Sequence, residues 1–139
     1  MLLLKRISAT VVAVLVLTVC SGSSDIEPAE RAVERFHEQL NAGQFEGIYD
    51  EAAEEFQKSD SKEQVVNFLR IVTTKLGDVR SSRRVHWNVT TSFTRTSVAL
   101  VYETQFKEEV AREQFLYRLE HDHAKLVSYH VQAKALVTK

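Results

Sequence analysis

The residues with the clearest capacity for chemistry lie on a predicted strand in the last third of the chain. There Glu113, Phe115 and Tyr117 occupy every second position. Residues two apart on a strand point to the same face, so these side chains are expected to share the inward side of a sheet. A carboxyl group among apolar walls is the kind of group that acid–base catalysis uses. Glu113 is therefore the candidate catalytic residue. The competing hypothesis places it at the rim of the sheet as a hydrated carboxylate.

Histidines form a second group of residues that could do chemistry. His121 and His123 flank Asp122 near a predicted hairpin tip, and His86 and His130 lie on neighbouring strands. Imidazole is a common ligand of zinc and copper. However, no cysteine and no compact quartet of ligands accompanies these residues. We therefore expect histidines that face solvent, with no metal and no cofactor.

Aromatic residues recur on the predicted inward faces of the helices and strands. An aromatic-lined cavity with a few polar groups is typical of a site for small apolar ligands. The same residues can instead simply fill a core. The candidate pocket residues are Phe36, Tyr49, Phe68, Trp87, Tyr102, Phe115 and Tyr117.

The predicted outward face of the strands carries more apolar residues than a solvated sheet face usually does. These are Ala99, Val101, Leu116 and Leu126. A contiguous apolar strip on an exposed face indicates a contact surface. We therefore expect a homodimer or a protein partner at this strip.

Helices are expected in the first half of the chain. An apolar stripe at helical spacing follows Pro28 and predicts a first helix that ends before Gly43. A second, shorter helix is predicted over residues 45–53. Ser61 with Gln64 three positions later forms a capping-box signal, which predicts the start of a third helix.

After the third helix the apolar residues recur every second position, as in strands with one buried face. Short polar links separate four such segments, so neighbouring strands are expected to be antiparallel. The sequence therefore predicts an α+β domain, in which three N-terminal helices pack on a curved, antiparallel, four-stranded meander.

The first residues of the chain predict export. Lys5 and Arg6 precede an apolar run over residues 7–19, and Cys20 follows it. A cationic start, a short apolar stretch and small residues behind it describe a secretory signal peptide. The run is shorter than the roughly 20 residues of a membrane-spanning helix. Residues 1–19 are thus the predicted leader, 20–27 a tether and 28–139 a single domain.

Cys20 is the only cysteine in the chain, so it cannot form an internal disulfide. The segment Leu17 to Cys20 resembles the lipobox of bacterial lipoproteins, in which the cysteine is acylated and becomes the new amino terminus. Val19 departs from the small residue that usually precedes that cysteine. Three outcomes stay open: a lipoprotein held in the bilayer through Cys20 and facing the periplasm or the cell exterior, a cleaved protein without the anchor, and a retained signal anchor.

Charge excludes one class of partner. The chain carries 18 basic and 19 acidic residues, a net charge of −1. Loss of Lys5 and Arg6 with the leader leaves 16 basic residues and a net charge of about −3. A nucleic-acid-binding domain needs a basic surplus, so nucleic acid is not expected as a partner.

The order of elements, three helices and then a meander, resembles the nuclear transport factor 2-like superfamily. The segment over residues 36–45, followed by Ile48 and Tyr49, is similar to the helix–glycine–aromatic–helix opening of such domains, and residues 126–131 are similar to their last strand. The resemblance implies a cystatin-like fold that forms a cone open at one end. The resemblance covers about residues 28–136. Many small bacterial lipoproteins also resemble this sequence.

That superfamily contains isomerases, dehydratases, ligand binders and assembly modules, so the resemblance does not select one function. Its isomerases use a buried acid with tyrosine donors, and the spacing around Glu113 does not match their motif residue by residue. A non-catalytic binding or assembly module tethered to a membrane is the expected function. A carrier or sensor of a small apolar ligand and a lyase or isomerase are the alternatives.

Overall fold

The computed structural model describes residues 26–137, in which helices come first and a sheet second. The elements are α1 (Glu27–Asn41), α2 (Phe45–Glu51), α3 (Glu54–Ser59), α4 (Lys62–Leu76), β1 (Val79–Thr91), β2 (Thr96–Phe106), β3 (Val110–Glu120), β4 (His123–Gln132) and α5 (Lys134–Val137). The predicted α+β class is confirmed. The leader, Cys20 and most of the predicted tether lie outside the described residues.

The ends of the longer helices follow from local chemistry. Pro28 lies in the first turn of α1, where its missing N–H costs nothing. At the start of α4 the Ser61 hydroxyl accepts from the Gln64 backbone N–H at 3.2 Å, and the Gln64 side chain accepts from the Ser61 N–H at 3.0 Å. The predicted capping box is therefore formed. Gly77 ends α4 with a φ of +75°, in the left-handed region that favours glycine.

The predicted second helix is interrupted. Ala52 and Ala53 are extended, so α2 ends at Glu51 and a separate α3 begins at Glu54. The Ala53 N–H donates to the Leu126 carbonyl of β4 at 2.9 Å. This long-range hydrogen bond holds the chain extended where local spacing favours a helix. The described residues thus hold four helices before the sheet, where the sequence predicts three.

The sheet is a meander with the order β1-β2-β3-β4, and every neighbouring pair is antiparallel. Three register shifts interrupt the alternation of its faces. Two lie on β1: one at Arg80, between the pairs Val79–Phe106 and Ser81–Gln105, and one at Val85, between the pairs Arg84–Tyr102 and His86–Val101. An extra residue in one strand moves the residues beyond it to the opposite face relative to simple alternation.

The third shift, on β4, corrects one expectation about the outer strip. The register on β4 passes from Ser128, opposite Leu116, to Leu126, opposite Tyr117, so that Val127 is the extra residue. The bulge places Leu126 on the inner face, where it is 5% exposed and part of the core. The expectation that Leu126 faces outward is therefore wrong.

The core lies between the inner face of the sheet and the helices. Helix α1 packs against β3 and β4, and α3 contacts β4. The largest fully buried apolar side chains are Phe106, Phe115, Leu40, Leu69, Leu76 and Leu100. This arrangement leaves a cleft where α1, α2 and the β3–β4 hairpin meet. Within residues 26–137, no helix is long and apolar enough to cross a membrane.

Candidate functional site

Glu113 lies on the inner face of β3 with no exposed surface. Its carboxylate Oε2 accepts a hydrogen bond from the Thr104 hydroxyl at 2.5 Å and lies 2.7 Å from His37 Nε2. Its Oε1 accepts from the Tyr129 hydroxyl at 2.7 Å. A buried carboxyl group is tolerated only with such partners. The prediction that Glu113 faces inward is thus confirmed. The competing hypothesis, that it is a hydrated residue at the rim, is wrong.

Strand register and helix packing bring these groups together. Glu113 lies opposite Tyr102 on β2 and opposite Val131 on β4. Thr104 is two positions beyond Tyr102 and therefore points to the same face. His37, unlike the other groups of the cluster, comes from a helix. It lies on α1, which crosses over this part of the sheet and contacts β3 and β4.

His37 is absent from the site residues that the sequence predicts. It is 7% exposed and lies four residues after Val33 and three before Leu40, both buried. Residues at these spacings share one face of a helix. That spacing was the available signal, although it does not tell which carboxylate the imidazole meets.

Three tyrosines are buried in the same core as the Glu113 carboxylate. Burial raises the pKa of Tyr117 and Tyr129 well above the usual value, and the charge of Glu113 raises both further. Burial, with a smaller contribution from Glu30, raises the pKa of Tyr102 to about 12. These hydroxyl groups therefore stay protonated, and able to donate, throughout the physiological pH range.

A cleft with a volume of about 410 Å³ lies beside this cluster. It is bounded by α1, α2 and the β3–β4 hairpin. Its apolar lining consists of Pro28, Ala32, Phe36, Ile48, Ala52, Tyr117, Ala124 and Leu126. The volume falls within the range of about 300–1,000 Å³ that small-molecule sites occupy.

Tyr117 contributes to the cleft wall, although its side chain is almost fully covered. It is 2% exposed, and its hydroxyl oxygen is buried without a hydrogen-bond partner among residues 26–137. An unpaired buried hydroxyl costs on the order of 1–3 kcal/mol. The oxygen has essentially no accessible surface, so the hydroxyl is covered by the core and does not open into the cleft.

The buried carboxylate and the cleft are adjacent but separate. Glu113, His37 and Thr104 do not line the cleft. The link between them is Phe36, which lines the cleft and packs its ring 4.6 Å from that of Tyr129 and 5.2 Å from that of Phe115. Through its contact with Phe36, the Glu113 cluster therefore helps to position the inner wall of the cleft. With three protein partners and no exposed surface, its carboxylate has no position for a substrate.

The rim of the cleft is charged. Arg31 and Arg35 of α1 face Lys125 of the hairpin, and the acidic rim residues are Glu51 and Asp122. Arg35 forms a bidentate pair with Glu51 at 2.7 and 2.9 Å. Exposed pairs of this kind contribute little to stability, so their cations can exchange partners at low cost.

The other predicted pocket residues are distributed unevenly. Phe36 and Tyr117 line the cleft, while Tyr102 and Phe115 lie in the core. Tyr49 is half-buried, and its hydroxyl donates to the Gln57 carbonyl at 3.0 Å. Two residues remain considerably exposed: Phe68 at 41% and Trp87 at 43%.

The remaining histidines do not assemble a site. Among the described residues, no group of three or more histidine, cysteine or acidic side chains could hold a metal ion. His123 lies at the cleft rim, whereas His86 and His130 belong to the outer face. His121 occupies the hairpin turn with a φ of +56°.

The outer strip keeps three of its predicted members. Ala99 lies directly opposite Leu116, and Val101 follows two positions later on β2. All three are half-buried in the described chain. The homodimer or protein contact expected there stays a prediction.

Comparison with protein-family models and with curated protein sequences finds no match for this chain. The resemblance to the nuclear transport factor 2-like superfamily therefore stays a prediction. The α+β class agrees with it, but many folds share that class. The geometry of the cleft and its buried supports carries the functional conclusion.

Proposed function

We propose that this protein is an exported, non-catalytic binding module that holds a small, largely apolar ligand in the cleft between α1, α2 and the β3–β4 hairpin. The observation that carries the proposal is the 410 Å³ cleft with its largely apolar wall and charged rim. A volume of this size, an apolar lining and a few polar groups are the usual features of a small-molecule site.

The leader supports export, and the lipobox-like segment before Cys20 supports a membrane tether. Membership of the nuclear transport factor 2-like superfamily and a cone-like curvature of the sheet are parts of the same proposal. The intact mass of the membrane-extracted protein decides the tether, because acylation adds the mass of the lipid to a chain that begins at Cys20.

Binding in preference to catalysis is supported by the environment of the one strong candidate acid. Glu113 is a buried acid beside a tyrosine hydroxyl, that of Tyr129 at 2.7 Å. Catalysis also requires contact with the reacting molecule. The carboxylate is instead occupied by His37, Thr104 and Tyr129 and lies outside the cleft lining.

The proposal is tested with N-phenyl-1-naphthylamine, an uncharged apolar dye whose fluorescence rises in apolar sites. Protein purified from cells that express the full chain is expected to bind the dye. Ala124 is half-buried and lines the cleft, so Ala124→Trp fills it. We expect this variant to raise the Kd by about tenfold or more, since each tenfold corresponds to about 1.4 kcal/mol of lost contact.

Ala99→Trp is the matched control, because Ala99 is also a half-buried alanine on a strand but lies on the outer face. It is expected to leave the Kd of the dye unchanged. No binding by the wild-type protein, or equal Kd values for the two tryptophan variants, would refute a ligand site in the cleft.

A further inference from the structure

The turn between β1 and β2 presents a large apolar side chain to solvent. Phe93 is fully exposed, whereas the other exposed large apolar residues of the described chain keep between 38% and 81% of their surface. The turn has a defined geometry, because the Ser92 N–H donates to the Arg95 carbonyl at 2.8 Å. A single exposed apolar residue is common and indicates nothing by itself. Its surroundings and its place in the domain therefore decide what it does.

The residues around Phe93 carry almost no charge. Residues 88–102 form the distal half of the β1–β2 hairpin and contain one charged residue, Arg95. At the 27% charged content of the chain, about four are expected in a segment of this length. Most of the polar residues are threonines and serines, and a long arginine side chain can keep its guanidinium group in water. This tip can therefore enter the headgroup region of a bilayer without the desolvation of a buried charge.

The tip and the start of α1 lie at the same end of the domain. Thr96 of β2 pairs with Leu119 of β3, so the β1–β2 turn is next to the β3–β4 turn. The chain enters α1 beside that second turn, because Pro28 and the turn line the same cleft. The other end of α1 reaches the opposite end of the sheet, where the Asn41 side chain bonds the Val79 backbone at 2.8 and 3.1 Å.

An anchor at Cys20 keeps this end of the domain near the bilayer. Six residue steps lead from Cys20 to Ile26, where the described chain begins, and they span at most about 20 Å. Strand β2 has 11 residues and is therefore about 35 Å long. The tether is thus too short for the domain to stand on its opposite end. The end that carries Phe93 is the one that the anchor holds against the lipid.

We propose that the tip of the β1–β2 hairpin is a second membrane contact, in which Phe93 inserts among the lipid headgroups. The inference rests on the membrane tether of the proposed function, because the tether supplies the high local concentration that a single ring needs. Charges of both signs lie at this end of the domain, since Arg95 and Arg118 both pair with Glu55. The contact is therefore apolar and requires no anionic lipid.

Tryptophan fluorescence of the membrane-extracted protein in phosphatidylcholine vesicles tests the contact. Trp87 is the only tryptophan in the chain, so Trp87→Phe with Phe93→Trp leaves a single reporter at the tip. Glu108→Trp in the same background is the matched control, because Glu108 is exposed in the β2–β3 turn at the opposite end. We expect the tip reporter to emit at shorter wavelengths than the control and to lose intensity when the lipids carry brominated acyl chains. Added phosphatidylglycerol is expected to leave this loss unchanged.

Hydrogen exchange on the same vesicles tests the native phenylalanine. The amides of residues 92–95 are expected to exchange more slowly in the wild-type protein than in Phe93→Ser. Since the Phe93 side chain is fully exposed, the substitution is not expected to disturb the fold. The difference between the two proteins therefore reports the membrane contact.

The outcomes separate this inference from the function on which it rests. Protein that does not float with the vesicles refutes the membrane tether, and the tip contact with it. If the protein floats but the tip reporter is quenched no more than the control, the tip contact alone is wrong. Equal exchange in wild type and Phe93→Ser also refutes it, and quenching that appears only with phosphatidylglycerol refutes its apolar character. Ligand binding in the cleft is decided separately by the dye titration.

Discussion

Replacement of Glu113 by leucine is expected to lower the free energy of unfolding by about 3–5 kcal/mol, one of the two largest effects predicted for a single substitution. Leucine fills most of the space of the carboxylate side chain but accepts no hydrogen bonds. Three groups that lie within 2.5–2.7 Å of the carboxylate would stay buried but lose this hydrogen-bond partner. They are His37 Nε2, the Thr104 hydroxyl and the Tyr129 hydroxyl. Urea unfolding at neutral pH, followed by circular dichroism, measures the change.

Glu113→Gln is the matched control. Its amide oxygen can accept from His37 and Thr104, and the Tyr129 hydroxyl can turn to accept from the amide nitrogen. We expect a loss of about 1–2 kcal/mol, well below that of leucine. Adding Thr104→Val to Glu113→Leu removes one unpaired hydroxyl and should recover stability. If leucine is tolerated as well as glutamine, the cluster does not stabilise the fold as described.

Phe115→Ala is expected to cost a similar 3–5 kcal/mol, because it removes the central ring of the core and leaves a cavity. Its ring centroid lies 5.1 Å from that of Tyr129, 5.2 Å from Phe36 and 6.0 Å from both Tyr102 and Tyr117. The rings next to it include two that line the cleft. The variant is therefore also expected to weaken dye binding, measured in the same titration as its stability.

Phe93→Ala provides the comparison for an exposed phenylalanine. Phe93 is fully exposed in the β1–β2 turn, so its removal is expected to change the free energy of unfolding by no more than about 0.5 kcal/mol. Equal effects of the two substitutions would contradict the placement of Phe115 at the centre of the core.

Features set by neighbouring residues could be predicted from the sequence. The capping box of Ser61 and Gln64 needs only residues within one helical turn, and it forms as expected. The inward parity of Glu113 and Phe115 followed from the strict alternation of β3 over that stretch. Such patterns survive folding because one face of the strand must be buried.

Features set by distant contacts could not be predicted from the sequence. The bulge at Val127 reverses the alternation on β4, and the break at Ala53 depends on a hydrogen bond to Leu126, 73 positions later in the sequence. His37 meets Glu113 across a separation of 76 residues. No local spacing encodes such contacts, so the presence of the candidate acid was predictable whereas its partners and its position behind the cleft were not.

The most direct test of the central claim is the footprint of N-phenyl-1-naphthylamine on the amide NMR spectrum of the isotopically labelled protein. A ligand held in the cleft is expected to shift the amide signals of Ala32, Ile48 and Ala124, which come from its three bounding elements. Shifts confined to the open groove beside Val110 and Val137, or to the outer face of the sheet, would contradict the account.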